Sequence, residues 1–289
     1  MLSYIIWNPD LIALHIGPLA IRWYALCWLT GFVAVYLIVQ KLYKQQNMPD
    51  EKFEPLFLYS FVGIILGARL GHCIFYQPDY FLASAKGIFE MFIPIKLLAT
   101  GVTDSLASGN WKFIGYEGLA SHGGTLGLMI AIITYSKRNK VPVLFTIDCV
   151  AIATPVMAAL IRIGNLMNSE IIGKPTDLPW AFVFQRVDML PRHPGQLYEA
   201  MAYALLAVIM YRLYRTHRKT TKTDTHIGTG FYFGLCLTYI FTFRFFIELT
   251  KENQELFEDT MTFNMGQLLS IPFVIIGIIF MLKARKKLK

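Results

Sequence analysis

Long apolar runs bounded by short polar or basic stretches recur seven times along the chain, over residues 17–40, 55–77, 120–136, 143–163, 197–214, 228–249 and 267–283. A helix needs about 20 apolar residues to cross roughly 30 Å of hydrocarbon, so each run predicts a transmembrane helix, the third and last being the shortest. The pattern therefore predicts an all-α, polytopic membrane protein of about seven spans. No repeat of 20 to 50 residues and no low-complexity linker divides it, which makes residues 1–289 a single membrane domain. Two connections are long. Residues 78–119 hold apolar pieces such as Ile88 to Leu98, then a polar stretch from Thr100 to Asn110. That segment fits either a helix lying on the membrane or a lid or docking surface for a partner. Residues 164–195 mix glycine, proline and aromatics, the composition of a short folded cap.

Composition agrees with this class: 55% of the 289 residues are hydrophobic and 15% aromatic, above the level of soluble domains. Cys27, Cys73, Cys149 and Cys236 all fall inside predicted spans, without CxxC spacing, so neither a disulfide framework nor a zinc site is expected. The first ten residues carry no Lys or Arg, and the run from Ile16 to Val39 is too long for the apolar core of a cleaved signal; the first span is expected to be retained.

The net charge of +8 follows the loops. Lys41, Lys44 and Lys52 lie in the first connection, Lys137, Arg138 and Lys140 in the third, and Arg215, Arg218, Lys219 and Lys222 in the fifth. The tail adds Lys283, Arg285, Lys286, Lys287 and Lys289, while the alternate loops are less basic for their length or acidic, as from Glu252 to Asp259. By the positive-inside rule the N-terminus is outside and the C-terminus cytoplasmic. Topology accounts for the charge, and no nucleic-acid partner is expected.

With each span given a direction, the polar residues gather at one depth. The span 143–163 runs outward for about 31 Å, so Arg162 emerges at its outer end. Arg244 lies near the outer end of 228–249, His122 near the outer start of 120–136, and Glu199 at the outer start of 197–214. Arg22 and Tyr24 fall in the outer third of the first span, Arg69 and His72 in the outer half of the second. An arginine in hydrocarbon costs about 2.5–3.5 kcal/mol on insertion scales, so such groups snorkel to the headgroups or face a cavity; several at one depth imply an anionic occupant. Glu170 and Glu248 are candidate counterions for Arg162 and Arg244. Asn165 and Asn168 fit two roles, donating to phosphate or glycerol oxygens or capping the helix end. The glycines of Ser121-His122-Gly123-Gly124-Thr125-Leu126-Gly127 serve close helix packing, and would equally let a headgroup approach His122. Asp148, near the inner end of its span, is read as a structural partner for a cytoplasmic Lys or Arg.

These residues resemble the prolipoprotein diacylglyceryl transferase family over nearly the whole chain. The resemblance rests on Arg22-Trp23-Tyr24, Gly67-Ala68-Arg69-Leu70-Gly71 with Ile74-Phe75-Tyr76, His122-Gly123-Gly124, and the run Arg162-Ile163-Gly164-Asn165-Leu166-Met167-Asn168-Ser169-Glu170. It continues through Pro191-Arg192-His193-Pro194-Gly195-Gln196-Leu197-Tyr198-Glu199, Phe243-Arg244 with Glu248, and Met265-Gly266-Gln267. It implies a bacterial inner-membrane enzyme, active towards the outer leaflet, that moves the diacylglyceryl group of phosphatidylglycerol to the lipobox cysteine of a prolipoprotein and releases glycerol phosphate. His122, Arg162 and Arg244 are implied as catalytic. Implied lipid contacts are Arg162, Asn165, Asn168, Glu170, Gly173, Arg244, Glu248, Tyr24 and Arg69. The partners are phosphatidylglycerol, the prolipoprotein signal peptide and membrane lipids, with no cofactor or metal. Two positions depart from the family pattern: Ile161 stands where a glycine is usual before the arginine, and Ile240 where many relatives have tyrosine, with Tyr239 about 100° away around the helix. The main competing class, a lipid flippase, would show internal repeats and broken spans at mid-depth, and the sequence has neither.

Overall fold

The computed structural model describes residues 4–17, 19–99, 101–113, 118–220, 226–252 and 262–287; the expected features at Thr100, Lys222, Lys289 and 253–259 lie outside them. In chain order the elements are β1 (Ile5–Trp7), β2 (Ile12–Ile16), β3 (Leu19–Arg22), α1 (Trp23–Gln45), α2 (Asp50–Phe75), α3 (Pro78–Phe81), α4 (Ala85–Phe92), β4 (Ile95–Leu97) and α5 (Val102–Ala107). They continue as β5 (Trp111–Phe113), α6 (Ser121–Asn139), α7 (Val143–Asn168), β6 (Phe182–Phe184), β7 (Pro191–Arg192), α8 (Gly195–Thr220), α9 (Phe231–Ile247), a 3-10 turn (Glu248–Thr250) and α10 (Met265–Lys287). The chain is mostly helical. Among the described residues six helices are long and apolar enough to cross a membrane: α1, α2, α7, α8, α9 with its following turn, and α10. The expected third span is the 19-residue α6, which is helical but not one of the six.

Short strands correct the all-α reading. The apolar run from residue 17 is two elements, because β2 and β3 pair as an antiparallel hairpin before α1 begins at Trp23. Gly17 sits at the turn with φ +59°, a conformation that suits glycine, and Arg22 is the last strand residue and the N-cap of α1. Continuous hydrophobicity hid that boundary. In the cap, β6 lies between a parallel β1 and an antiparallel β7, and Phe182 and Phe184 pack with Leu166, Trp7 and Leu197.

The chain forms two compact units, Met48–Val143 and Met1–Asn47 with Leu144–Lys289. In the first, α2 and α6 meet through glycine. A Cβ on Gly71 would lie 2.8 Å from the Gly123 Cα, and one on Gly127 would lie 2.9 Å from the Gly67 Cα. Such approach replaces side-chain packing by dispersion between backbones, the means by which apolar helices associate where lipid removes the hydrophobic drive. The Ala120 amide closes the top of the seam on the Ala68 carbonyl at 2.9 Å.

In the second unit α1 packs on α7, with Gly31 against Met157, Gly164 against the Tyr24 ring, and the Tyr43 hydroxyl 3.1 Å from Thr146 Oγ1. Gly234 and Gly277 bring α9 onto α10. Asp148 corrects its expected role: fully buried, it accepts hydrogen bonds from the Gly228, Gly230 and Phe233 amides at 2.8, 2.8 and 2.9 Å. Its partner is the positive N-terminus of α9, whose free amides supply the donors.

Candidate active site

The polar signature spans the end of α7. The helix runs to Asn168, roughly a turn and a half past Arg162, so that arginine lies within the helix and not at its edge. The chain then turns sharply, with Ser169 at φ +56° and Ile171 at φ +55°. Glu170 holds that turn together. Its carboxylate accepts from Asn165 Nδ2 and Asn168 Nδ2, both at 3.0 Å, and its carbonyl accepts from the Gln196 side chain. Of the two roles open to the amides, the geometry shows the closing of the helix end. Glu170 is thus not the direct counterion of Arg162, and it meets the guanidinium only through Asn165 Oδ1, which accepts from Arg162 Nη1 at 3.4 Å.

The counterion is Glu199. Arg162 Nε lies 3.0 Å from Glu199 Oε2, on a carboxylate with no solvent exposure, and the Tyr203 hydroxyl donates to Oε1 at 3.2 Å. Lys251 Nζ, itself 3% exposed, lies 3.2 Å from Glu199 Oε2 and 3.3 Å from Glu248 Oε1. Glu248 in turn is 3.5 Å from Arg244 Nε, the pairing expected from their one-turn spacing. Arg162 and Arg244 are therefore joined through Glu199, Lys251 and Glu248. Buried charges of this kind are tolerated only when each has a partner. Arg244 is the most open, at 38% of its side chain.

A model of the family described as prolipoprotein diacylglyceryl transferase matches residues 11–283. Three relatives bear the name phosphatidylglycerol–prolipoprotein diacylglyceryl transferase. The chain is 52% identical to one from Bacteroides fragilis over 99% of its length and 98% of the relative. It is 40% identical to one from Tolumonas auensis (97% and 98% covered) and 37% identical to one from Chloroherpeton thalassium (99% and 96% covered). The chain belongs to the prolipoprotein diacylglyceryl transferase family.

Lys251 is the family member's buried charge that sequence reasoning missed, because it lies past the end of α9 where helical spacing no longer predicts neighbours. A bridge to Gly173 brings it in: the Lys174 amide donates to the Thr250 carbonyl at 2.8 Å, and a Cβ on Gly173 would stand 2.7 Å from that same oxygen. Gly173 is thus a close-approach position for backbone, and its carbonyl accepts from Arg192 Nη1 at 3.2 Å. Arg192 also binds Asp188 and Glu252, at 2.5 and 2.7 Å, and these contacts fasten β7 and the cap to the segment after α9. Its hydrogen bonds hold the Asp188 carboxyl below the usual range. Tyr24 packs its ring on Gly164, next to Asn165. Tyr239 and Ile240 both pack on the cluster of Ala159, Ala202 and Tyr203.

In the other unit, His122 is the second residue of α6 and is exposed. Arg69 is 4% exposed, and its guanidinium donates to the carbonyls of Glu90 (2.8 Å) and Met91 (3.2 Å) while lying 4.8 Å above the Phe81 ring. Those contacts end α4 and tie the segment after α2 to its own helix. Glu90 accepts from the Tyr80 hydroxyl at 2.5 Å and the Leu97 amide at 2.8 Å, and the first of these bonds pushes the Tyr80 phenol up to about 12.

Proposed function

We propose that this protein transfers the diacylglyceryl group of phosphatidylglycerol to the lipobox cysteine thiol of a prolipoprotein, forming a thioether and releasing glycerol phosphate, the first step of lipoprotein maturation. The observation that carries this reading is the linked array of Arg162, Glu199, Lys251, Glu248 and Arg244. Three cations against two carboxylates leave one positive charge, which a phosphodiester monoanion balances.

The sulfur attacks the glyceryl carbon as the carbon–oxygen bond to phosphate breaks, and the departing monoester gains charge. Guanidinium groups already held by Glu199 and Glu248 meet that charge without reorganising. Arg244, the more exposed, first receives the headgroup, and Arg162 takes the phosphate in the transition state. Asn165, Asn168 and Glu170 shape the wall beside it with Tyr24. Gly173 and Arg69 act as positioning residues, since their observed partners are protein backbone. His122 accepts the thiol proton.

In this reading α6 is the seventh span, and the basic loops place the N-terminus outside and the C-terminus in the cytoplasm of a bacterial inner membrane. The catalytic domain of residues 1–289 faces the outer leaflet. Purified protein incubated with phosphatidylglycerol and a lipobox peptide should yield a diacylglyceryl thioether by mass spectrometry. Arg162→Ala, Arg244→Ala and His122→Gln, at matched protein levels, should each lose that product; full activity in Arg162→Ala overturns the assignment.

A further inference from the structure

The far end of α8 carries a second cationic site that the transfer reaction does not use. Between α1, α7 and α8 lies a cleft of about 690 Å³, and a smaller one of about 280 Å³ continues it towards the helix ends. Its lining towards mid-helix is apolar: Ile38 from α1, Ile152 and Val156 from α7, Ala207 and Val208 from α8. Its rim holds Lys41 on one wall and Arg212, Arg215 and Arg218 on the other. The charged residues come from the end halves of α1 and α8, and α7 contributes only apolar ones. The rim is about 24 Å along α8 from Glu199, so it lies at the opposite membrane surface from the Arg162 array.

Basic residues at a helix end are ordinary, but three features set this rim apart. The arginines recur every third residue, which keeps them within about 120° of one helix face. No carboxylate is among the described residues lining either cleft, so four like charges face one space without a counterion. The walls are also fixed, because the buried Tyr214 hydroxyl donates to Gln45 Oε1 at 2.9 Å and accepts from Gln46 Nε2 at 3.4 Å, while the Tyr211 ring carries the Arg215 guanidinium at 5.8 Å.

We infer that this cleft binds one anionic glycerophospholipid, its phosphate among Lys41, Arg212, Arg215 and Arg218 and its acyl chain on Ile152, Val156 and Val208. With the orientation given above, the lipid belongs to the cytoplasmic leaflet. It holds the inner ends of α1 and α8 at their observed separation. Charge attraction at a membrane surface together with an apolar track selects a lipid over a soluble anion.

Native mass spectrometry on delipidated full-length protein tests this with phosphatidylserine, an anionic lipid outside the proposed substrate, against phosphatidylcholine. One phosphatidylserine should stay bound under activation that strips phosphatidylcholine. Arg212→Gln with Arg215→Gln should weaken it at least tenfold. Val208→Trp, which fills the track and keeps every charge, should weaken it as much, and Arg162→Gln should leave it unchanged. Equal binding in the double variant overturns the site. Unchanged binding in Val208→Trp reduces it to a charged surface and overturns the lipid track, as does displacement by equimolar inorganic phosphate. Loss in Arg162→Gln assigns the adduct to the transfer site and also overturns the inference. None of these readouts depends on transferase activity.

Discussion

In Met48–Val143, α2 and α6 touch where Gly63, Gly67, Gly71, Gly123 and Gly127 place no side chain between the backbones, whereas in the other unit α7, α8 and the turn after α9 are joined by buried charges. Both arrangements solve the problem of holding apolar helices together in lipid. The glycine seam gains dispersion and fixes register, and it places no charged group between the two helices. Charged joints carry a desolvation cost and hold donors at fixed positions, the property an anion-binding site needs.

The largest effect that separates them is expected at Glu199. Its replacement by Gln leaves Arg162 and Lys251 without their shared charge, so we expect a loss of about 3–5 kcal/mol in detergent unfolding together with at least a hundredfold loss of transfer. Gly67→Leu drives a side chain into the Gly123 and Gly127 backbones and should destabilise by about 3 kcal/mol. Activity per folded molecule should fall as well, because the Gly123 backbone that the side chain meets adjoins His122, and full activity in the destabilised variant would break that link. Asp148→Asn, which weakens three bonds to the α9 terminus, should cost about 2 kcal/mol in the same assay. Tyr80→Phe should cost about 1 kcal/mol and show first as faster proteolysis within 78–113, with transfer nearly unchanged.

The smallest effect is one of pH. Because Arg192 depresses the Asp188 carboxyl in the fold, the stability it contributes is complete above the unfolded value of about 3.9 and is lost as pH falls through the folded one. Protease resistance of the cap should hold down to about pH 4 and fade below it, and Asp188→Asn should remove that acid-side fade.

The helices were legible because twenty apolar residues in a row admit few structures, and Arg162, Arg244 and Glu248 could be put at one depth by counting along them. What remained hidden depended on contacts between segments distant in sequence. Glu199 could be listed among the polar residues, yet nothing in its own run said that it, and not Glu170, faces Arg162. Lys251 required the bridge to Gly173, and Asp148 required the α9 terminus to arrive from 80 residues away. The hairpin ahead of α1 was obscured for a local reason, since the run from Ile16 to Val39 is as apolar in strand as in helix, and Gly17 was its turn signal.

A seam without side chains has no rotamers through which one helix can yield to the other. Gly71 against Gly123 and the Ala120 amide on Ala68 clamp the first turn of α6 to α2, and Arg69, on the same stretch of α2, grips the carbonyls that end α4. The imidazole of His122 and the end of α4 are accordingly anchored to one stretch of α2, so a backbone shift there is felt at both.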